Sequence, residues 1–250
     1  MNCYLYLVLI LLTCTLVLEL QYFCLWSLKI NSIEVVFENE DFVIFNKPYG
    51  LLTHKNDSSN ESTLQDFLIE NYKLFGYEEN FRKGIVHRLD RVTSGLILCP
   101  LNYEVHSEFE KKFKNREISK QYKAIVEGII FPKKGEIDLP LRHSLKNRKK
   151  REVHHEGRKA LTQFELIDKN ERFSLIDINL ITGRNHQIRA HFEYLKFPIV
   201  NDELYGGKRN SLVPSNAICL QSYKLKFTFN KENYLFELDI PGYFTSIMNV

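Results

Sequence analysis

Asp90 stands between two arginines in the run Gly84-Ile85-Val86-His87-Arg88-Leu89-Asp90-Arg91-Val92-Thr93-Ser94-Gly95, which continues into the apolar Leu96-Ile97-Leu98. A carboxylate beside cations stays ionised, because a nearby opposite charge favours the charged form. Such a group is a poor proton donor but a ready nucleophile or base. An isolated Arg-Leu-Asp-Arg is more often a solvated surface cluster worth little, so this motif gains weight only from its companions.

The first companion is Thr182-Gly183-Arg184-Asn185-His186-Gln187-Ile188-Arg189-Ala190-His191. It falls at a predicted strand-to-helix junction, where backbone N–H groups can meet an anion. Arg184 adds a planar fork suited to phosphate. Arg189 lies in the first turns of the predicted helix, where it can face the sheet and reach Asp90. His186 and His191 are five apart, not the i, i+4 spacing of a helical metal pair, so no metal is expected. The second companion, Lys120-Gln121-Tyr122-Lys123-Ala124, puts Tyr122 on a strand among cations. A tyrosine there is ordinarily a core or surface aromatic; it could also stack on an extruded base. The third, Arg142 to Arg151, holds six cations and no acid. It reads as a solvated loop, which beside a cleft would make sequence-independent phosphate contacts.

The elements that must position these groups read as one α+β domain over residues 29–250. Ile33 to Phe37 and Phe42 to Phe45 suit a hairpin around Glu38-Asn39-Glu40-Asp41. Ser62 is placed to cap a helix with Leu64, Phe67, Leu68 and Phe75 near one face, ended by Gly76. A second helix from Asn102 carries Val105, Phe109 and Phe113 at four-residue spacing. Gln121 to Glu127 alternates as a strand, with Tyr122, Ala124 and Val126 on one face. Leu161 to Ile167 and Phe173 to Leu180 form a second hairpin, Asn185 to Leu195 a helix, and Tyr223 to Phe229 and Tyr234 to Ile240 two closing strands. Strands outnumber helices and several neighbours are antiparallel, with no internal repeat and no long linker.

The 250-residue chain is 44% apolar and 26% charged, which suits a globular core rather than disorder. A net charge of +3 is too small to identify a nucleic-acid binder by itself. Five cysteines without CxxC spacing argue against both a disulfide framework and a cysteine zinc site. Residues 1–28 are set apart as a hydrophobic segment. Its run from Cys3 to Leu18 is uncharged, and apolar character continues to Leu28 past Glu19. A targeting segment, a membrane anchor and a mis-assigned start all fit it, because it is borderline for a spanning helix and lacks a clear signal-peptide pattern. Membrane association through residues 3–28 is one expectation; cytoplasm or an organelle interior is the expected compartment, and a monomer the expected state.

Together these segments resemble the RluA-type RNA pseudouridine synthases. His87 to Gly95 is similar to that family's catalytic motif, and Asn46-Lys47-Pro48-Tyr49-Gly50-Leu51-Leu52-Thr53-His54 to its opening motif. Lys120-Gln121-Tyr122 resembles its tyrosine strand, and Gly183-Arg184 with His186-Gln187-Ile188-Arg189 its last active-site motif. Gly157-Arg158-Lys159-Ala160 with Thr162 also fits. The resemblance runs in family order from residue 34 to about 225. It implies the pseudouridine synthase catalytic fold, a mostly antiparallel mixed sheet flanked by helices and loops. It also implies isomerisation of specific uridines in structured RNA, ribosomal or transfer, without metal or cofactor.

By the same resemblance, Asp90 is the essential carboxylate, either attacking the flipped uridine at ribose C1′ or assisting glycal formation. Uracil is released, rotated and rejoined through C5. Arg189 holds Asp90 by an ion pair, Tyr122 packs on the base, and Arg88 helps displace the nucleotide. Arg184, His186 and Gln187 bind substrate, and Leu220 forms an apolar wall. A base must leave its stack before a side chain reaches its sugar, at a cost of a few kcal/mol. The sequence departs from the family pattern at Phe197 and Asn201, where His and Gly are usual, and at Leu220-Gln221-Ser222, where Leu-His-Ala is usual. These departures bear on substrate fit rather than on Asp90. An amino-terminal S4 RNA-binding module, common in relatives, is not expected here. A non-catalytic RNA-binding protein on the same fold is the competing reading, which an intact Asp90 motif disfavours.

Overall fold

The computed structural model describes residues 33–55, 61–77 and 82–250. The expectations for residues 1–28 lie outside the described residues. No helix among the described residues is long and apolar enough to cross a membrane.

Eleven strands and four helices follow one another along the described chain. Strand β1 is Glu34–Glu38, β2 Phe42–Lys47, β3 Ser94–Pro100, β4 Ser119–Glu127, β5 Lys134–Asp138 and β6 Leu141–His143. The later strands are β7 Arg151–Val153, β8 Leu161–Lys169, β9 Phe173–Leu180, β10 Leu220–Phe229 and β11 Glu232–Glu237. The helices are α1 Leu64–Asn71, α2 Tyr103–Asn115, α3 Gln187–Tyr194 and α4 Gly242–Met248. One nine-stranded sheet runs β1-β2-β3-β10-β4-β9-β8-β5, with β11 added to β10, and β6 and β7 pair separately. The pairs β2–β3, β10–β4, β4–β9, β9–β8, β8–β5 and β10–β11 are antiparallel, whereas β3 and β10 run parallel. This is the mostly antiparallel α+β architecture expected.

The core on the α2 side is aromatic. Phe42 makes edge contacts with Phe109, Phe227 and Tyr234 at centroid separations of 5.6, 5.6 and 5.2 Å. Alternating residues of β2, β3 and β10 supply this face: Phe42 and Ile44, Leu96 and Leu98, Leu225 and Phe227 are all buried. Burying each such side chain contributes about 1.5–3 kcal/mol, enough to fix the register of the strands that hold the site.

Three expectations are corrected. The helix foreseen from Ser62 to Gly76 begins one residue later and ends at Asn71. Thr63 is its cap, accepting from Asp66 N while the Asp66 carboxylate accepts from Thr63 N–H. Tyr72 is already extended, and Phe75 exchanges backbone bonds of 3.0 Å each with Leu101 O and Tyr103 N–H. Those cross-chain bonds replace the helical ones. The basic stretch 142–151 is not wholly a loop: its ends form the β6–β7 hairpin, and 144–150 make the tip. Strand β10 starts at Leu220, three residues before Tyr223, because its opening residues pair with β3 and β4. Helix α4, too short for a periodic signal, is anchored by buried Phe244 and Ile247.

Candidate active site

Four adjacent strands converge at one end of the sheet. Asp90 lies on the loop leading into β3, Leu220 opens β10, Tyr122 sits within β4, and β9 ends at Leu180 just before the 182–189 segment. The register fixes their neighbourhood, since Tyr122 is opposite Ser222 on β10 and Ile178 on β9. Gly95 allows the parallel β3–β10 contact: its φ is +114°, and a side chain there would collide with the Ser222 backbone. The opening motif braces the Asp90 loop from behind. Gly50 N donates to Arg91 O at 2.7 Å, Thr53 Oγ1 donates to Leu89 O at 2.9 Å, and Leu89 N donates back to Thr53 Oγ1 at 3.2 Å. Lys47, fully buried, donates to the Pro48 and Leu51 carbonyls at 2.9 and 2.8 Å. Burial lowers its pKa to about 7 against the pull of nearby Asp90.

These elements frame a cleft of about 540 Å³. Arg82, Arg88, Lys114, Arg116, Lys120 and Arg184 line it, and Asp90 is the one carboxylate among its described lining residues. Arg189 reaches Asp90 across 99 positions of sequence, with Nη1 donating to Oδ2 at 3.0 Å. Its Nε and Nη2 donate to Asp202 Oδ2 and Oδ1 at 2.7 and 2.8 Å. Burial opposes the Arg189 charge, and the hydrogen bonds and charges of Asp202 and Asp90 more than offset it, so its pKa is raised. For Asp90, burial pushes the pKa up, but the charges of His186, Arg189 and Arg88 and the Arg189 hydrogen bond hold it below the ordinary value. His186 is itself uncharged at neutral pH, because burial lowers its pKa. The main lasting counter-charge is therefore Arg189, with Arg88 a smaller one. Arg91 pairs with Glu61, and Arg88 is exposed with Nη1 3.5 Å from His54 Nε2.

Tyr122 and Leu220 are buried lining residues, 6% and 3% exposed. Burial raises the Tyr122 pKa and keeps the phenol protonated. Arg184 is exposed at the rim and donates from Nε to Lys159 O at 3.0 Å. His186 sits 3.8 Å from Asp90 Oδ2 through Nε2. Gln187 also borders the cleft, but its amide is spent inside the protein. Its Oε1 accepts from Thr182 Oγ1 and Arg184 N at 2.7 and 3.0 Å, and its Nε2 donates to Leu161 O and Thr162 Oγ1 at 3.0 and 2.9 Å. The structure thus brings all eight sequence-selected residues to one cleft, with Gln187 acting on the segment that carries Arg184.

None of the departures from the family pattern lines the cleft itself. Asn201 has φ +69°, the left-handed region where glycine is at ease and asparagine is tolerated. Its amide donates to Ala217 O at 2.7 Å and accepts from Asn210 N at 3.0 Å, tying down a loop a glycine could not hold. Gln221 and Ser222 donate to Asp239 O and Leu96 O at 3.1 and 3.2 Å. Ser222 also hydrogen-bonds the Tyr122 side chain, so this departure reaches the cleft through one lining residue. Sequence reading missed Asp202 and Tyr205 as site residues; Asp202 directly follows Asn201, and Tyr205 lies three residues further on. His154, His155 and Glu156 gather ligand atoms within 4.8 Å, but Glu156 is paired to Arg142 at 3.0 Å and none of the three lines the cleft.

Solved structures share this arrangement of strands. Human RNA pseudouridylate synthase domain containing 4 superposes with a TM-score of 0.70 at 20% identity, covering 89% of this chain and 95% of that one. Human RNA pseudouridylate synthase domain containing 1 gives 0.68 at 22% identity, covering 84% of each chain. The fold is the pseudouridine synthase catalytic fold. The RNA pseudouridylate synthase family profile matches residues 41–194. Ribosomal large subunit pseudouridine synthase D of Borreliella burgdorferi is 37% identical over 206 residues, 81% of this chain and 63% of that protein. The uncharacterised RNA pseudouridine synthase YlyB of Bacillus subtilis is 31% identical over 84% of this chain and 69% of its own length. The chain therefore belongs to the RNA pseudouridine synthase family, in its RluA-type branch, and spans just under two thirds of the Borreliella relative.

Proposed function

We propose that this chain isomerises uridine to pseudouridine in structured RNA, with Asp90 as the catalytic carboxylate. The observation that carries the reading is Asp90 itself, ionised beside Arg189 and alone among cations in the cleft. Cations along a cleft attract phosphates without choosing sequence, so they position a strand while the pocket accepts the flipped nucleotide. Arg88 and Arg184 hold the strand at the rim, and Arg88 helps displace the target nucleotide. Tyr122 and Leu220 offer a phenol ring and an apolar wall to the uracil.

In the reaction the C1′–N1 bond breaks with its electron pair on uracil N1. The Asp90 carboxylate acts at the sugar, either by bonding to C1′ or by assisting glycal formation. Uracil turns and C5 bonds to C1′ as the Asp90–C1′ bond breaks, or as the C2′ proton that Asp90 removed in forming the glycal returns. The C5 proton is lost while N1 gains one. The change is redox-neutral, so no cofactor is required. The relatives named as ribosomal large subunit synthases make large-subunit ribosomal RNA the first substrate to offer, with transfer RNA the second. The test is tritium release from transcripts labelled at uridine C5, and release from one class of RNA is the expected result. RNA binding without release from either class would favour a non-catalytic RNA-binding protein.

A further inference from the structure

The two oxygens of Asp90 are not equivalent. Oδ2 accepts from Arg189 and lies 3.8 Å from His186 Nε2, whereas Oδ1 has no hydrogen-bond partner among the described residues. The other imidazole nitrogen, His186 Nδ1, lies 2.9 Å from the Tyr205 hydroxyl. That hydroxyl oxygen already accepts from Arg151 N–H at 2.7 Å. A phenol has a single proton to give, and His186 Nδ1 is the acceptor it meets among the described residues, so a satisfied hydroxyl directs that proton at Nδ1. An accepting Nδ1 puts the ring hydrogen of neutral imidazole on Nε2, the nitrogen facing Asp90.

Tyr205 is built in to hold this geometry. It is fully buried, with its ring between the Arg189 guanidinium and the Lys150 ammonium, each 4.8 Å from the centroid. His186 has φ +55°, a left-handed conformation that an L-residue keeps only when its surroundings over-determine it. The charged groups facing the imidazole are Asp90, Arg189, Asp202 and Arg151. Burial outweighs both carboxylates there, so the ring stays neutral.

We infer that Tyr205 is a positioning residue which, through His186, presents an N–H to Asp90 Oδ2 and leaves Oδ1 as the oxygen that acts at the sugar. This role rests on the synthase activity proposed above. The opposite tautomer would aim a lone pair at Oδ2 and turn the carboxylate away from its Arg189 bond.

Tyr205→Phe in the full chain removes the hydroxyl and keeps the ring between its two cations. Nitrogen NMR of labelled histidine, with His186 assigned from its absence in His186→Gln, reads the tautomer directly. The wild type is expected to show a bare Nδ1 and a protonated Nε2. Tyr205→Phe is expected to lose that preference and titrate at higher pH, because the donor opposing protonation of Nδ1 is gone. Its kcat for tritium release is expected to fall roughly tenfold with KM for RNA unchanged, as for loss of one hydrogen bond acting in the chemical step. His186→Gln, which keeps an N–H donor, is expected to retain more activity than His186→Leu, and this comparison stands even if Tyr205→Phe folds poorly. An unchanged tautomer, an unchanged kcat in an active enzyme, or equal activity of the two His186 variants would overturn the role. Wild type that releases no tritium from any RNA would overturn the synthase reading, and this role with it.

Discussion

Arg189 gives two of its donors to Asp202, at 2.7 and 2.8 Å, and so approaches Asp90 already fixed in orientation. Asp202 is 1% exposed and Arg189 5%. A bidentate fork locks the plane of the guanidinium, which a lysine could not do. The remaining Nη1 then points at Asp90 with little rotational freedom left to lose. The pair serves the orientation of the Asp90 carboxylate more than the stability of the fold, since buried ion pairs gain little over apolar packing.

Breaking that pair on one side is a different matter. Asp202→Ala strands a buried guanidinium with Asp90 as its remaining acid. Urea unfolding of this variant is expected to show a loss of about 3–5 kcal/mol. A loss within the scatter of surface substitutions would mean the pair is solvated in the native protein.

If Asp90 acts as proposed, the acid limb of activity is expected to report its titration. Its folded-state pKa is depressed below the ordinary 3.8, so its ionised form persists above that value. Stability and activity that depend on the carboxylate are therefore present above the unfolded value and lost as pH falls through the folded one. In Arg189→Met, burial acts on Asp90 with its strongest lasting opponent gone, and the limb is expected to move upward by about 1–3 pH units. Single-turnover rates across pH in both proteins measure the displacement.

In the proposed function the β6–β7 tip is expected to carry charge for RNA rather than for folding. Arg142 is paired with Glu152 and Glu156, and Lys150 with Glu193, while Lys146, Arg148 and Lys149 stand exposed at the tip. Replacing those three with alanine is expected to leave stability within about 0.5 kcal/mol. It should also flatten the dependence of log affinity on log salt by about 0.7–0.9 for each phosphate the tip no longer neutralises. Binding titrations at several salt concentrations give the slope directly.

Asn201 separates backbone strain from side-chain bonding. Asn201→Ala keeps a left-handed residue but loses the amide, and is expected to cost at least about 1–2 kcal/mol. Asn201→Gly loses the same bonds without the strain and is expected to cost less. Thermal unfolding of the two variants side by side checks the order.

Most of the longer strands and the three longer helices were legible because their apolar periodicity survives in the sheet faces, as at Phe42 and Ile44 or Tyr122 and Ala124; β5 was not foreseen. The ends were less so. Tyr72 and Phe75 carry helix-compatible side chains, but backbone bonds to Leu101 and Tyr103 take the chain elsewhere, and no local signal announces them. Asp90, Tyr122, Arg88, Arg184, His186, Gln187, Arg189 and Leu220 could be gathered from motifs, because each motif sits at the end of one strand or the start of the next element. Asp202 and Tyr205 could not, since their importance lies in touching Arg189 and His186 across the fold. The length of the β6–β7 tip was visible as charge, and its hairpin was not, because three-residue strands carry too little alternation to read.

The most direct measurement is single-turnover tritium release from C5-labelled ribosomal RNA by the wild type and by Asp90→Asn. Asparagine keeps the shape and can still accept from Arg189, but it removes the charge. Release by the wild type and none by the variant, with RNA affinity unchanged, is the predicted result. Equal release by both proteins would remove Asp90 from the chemistry and contradict the mechanism proposed for this cleft.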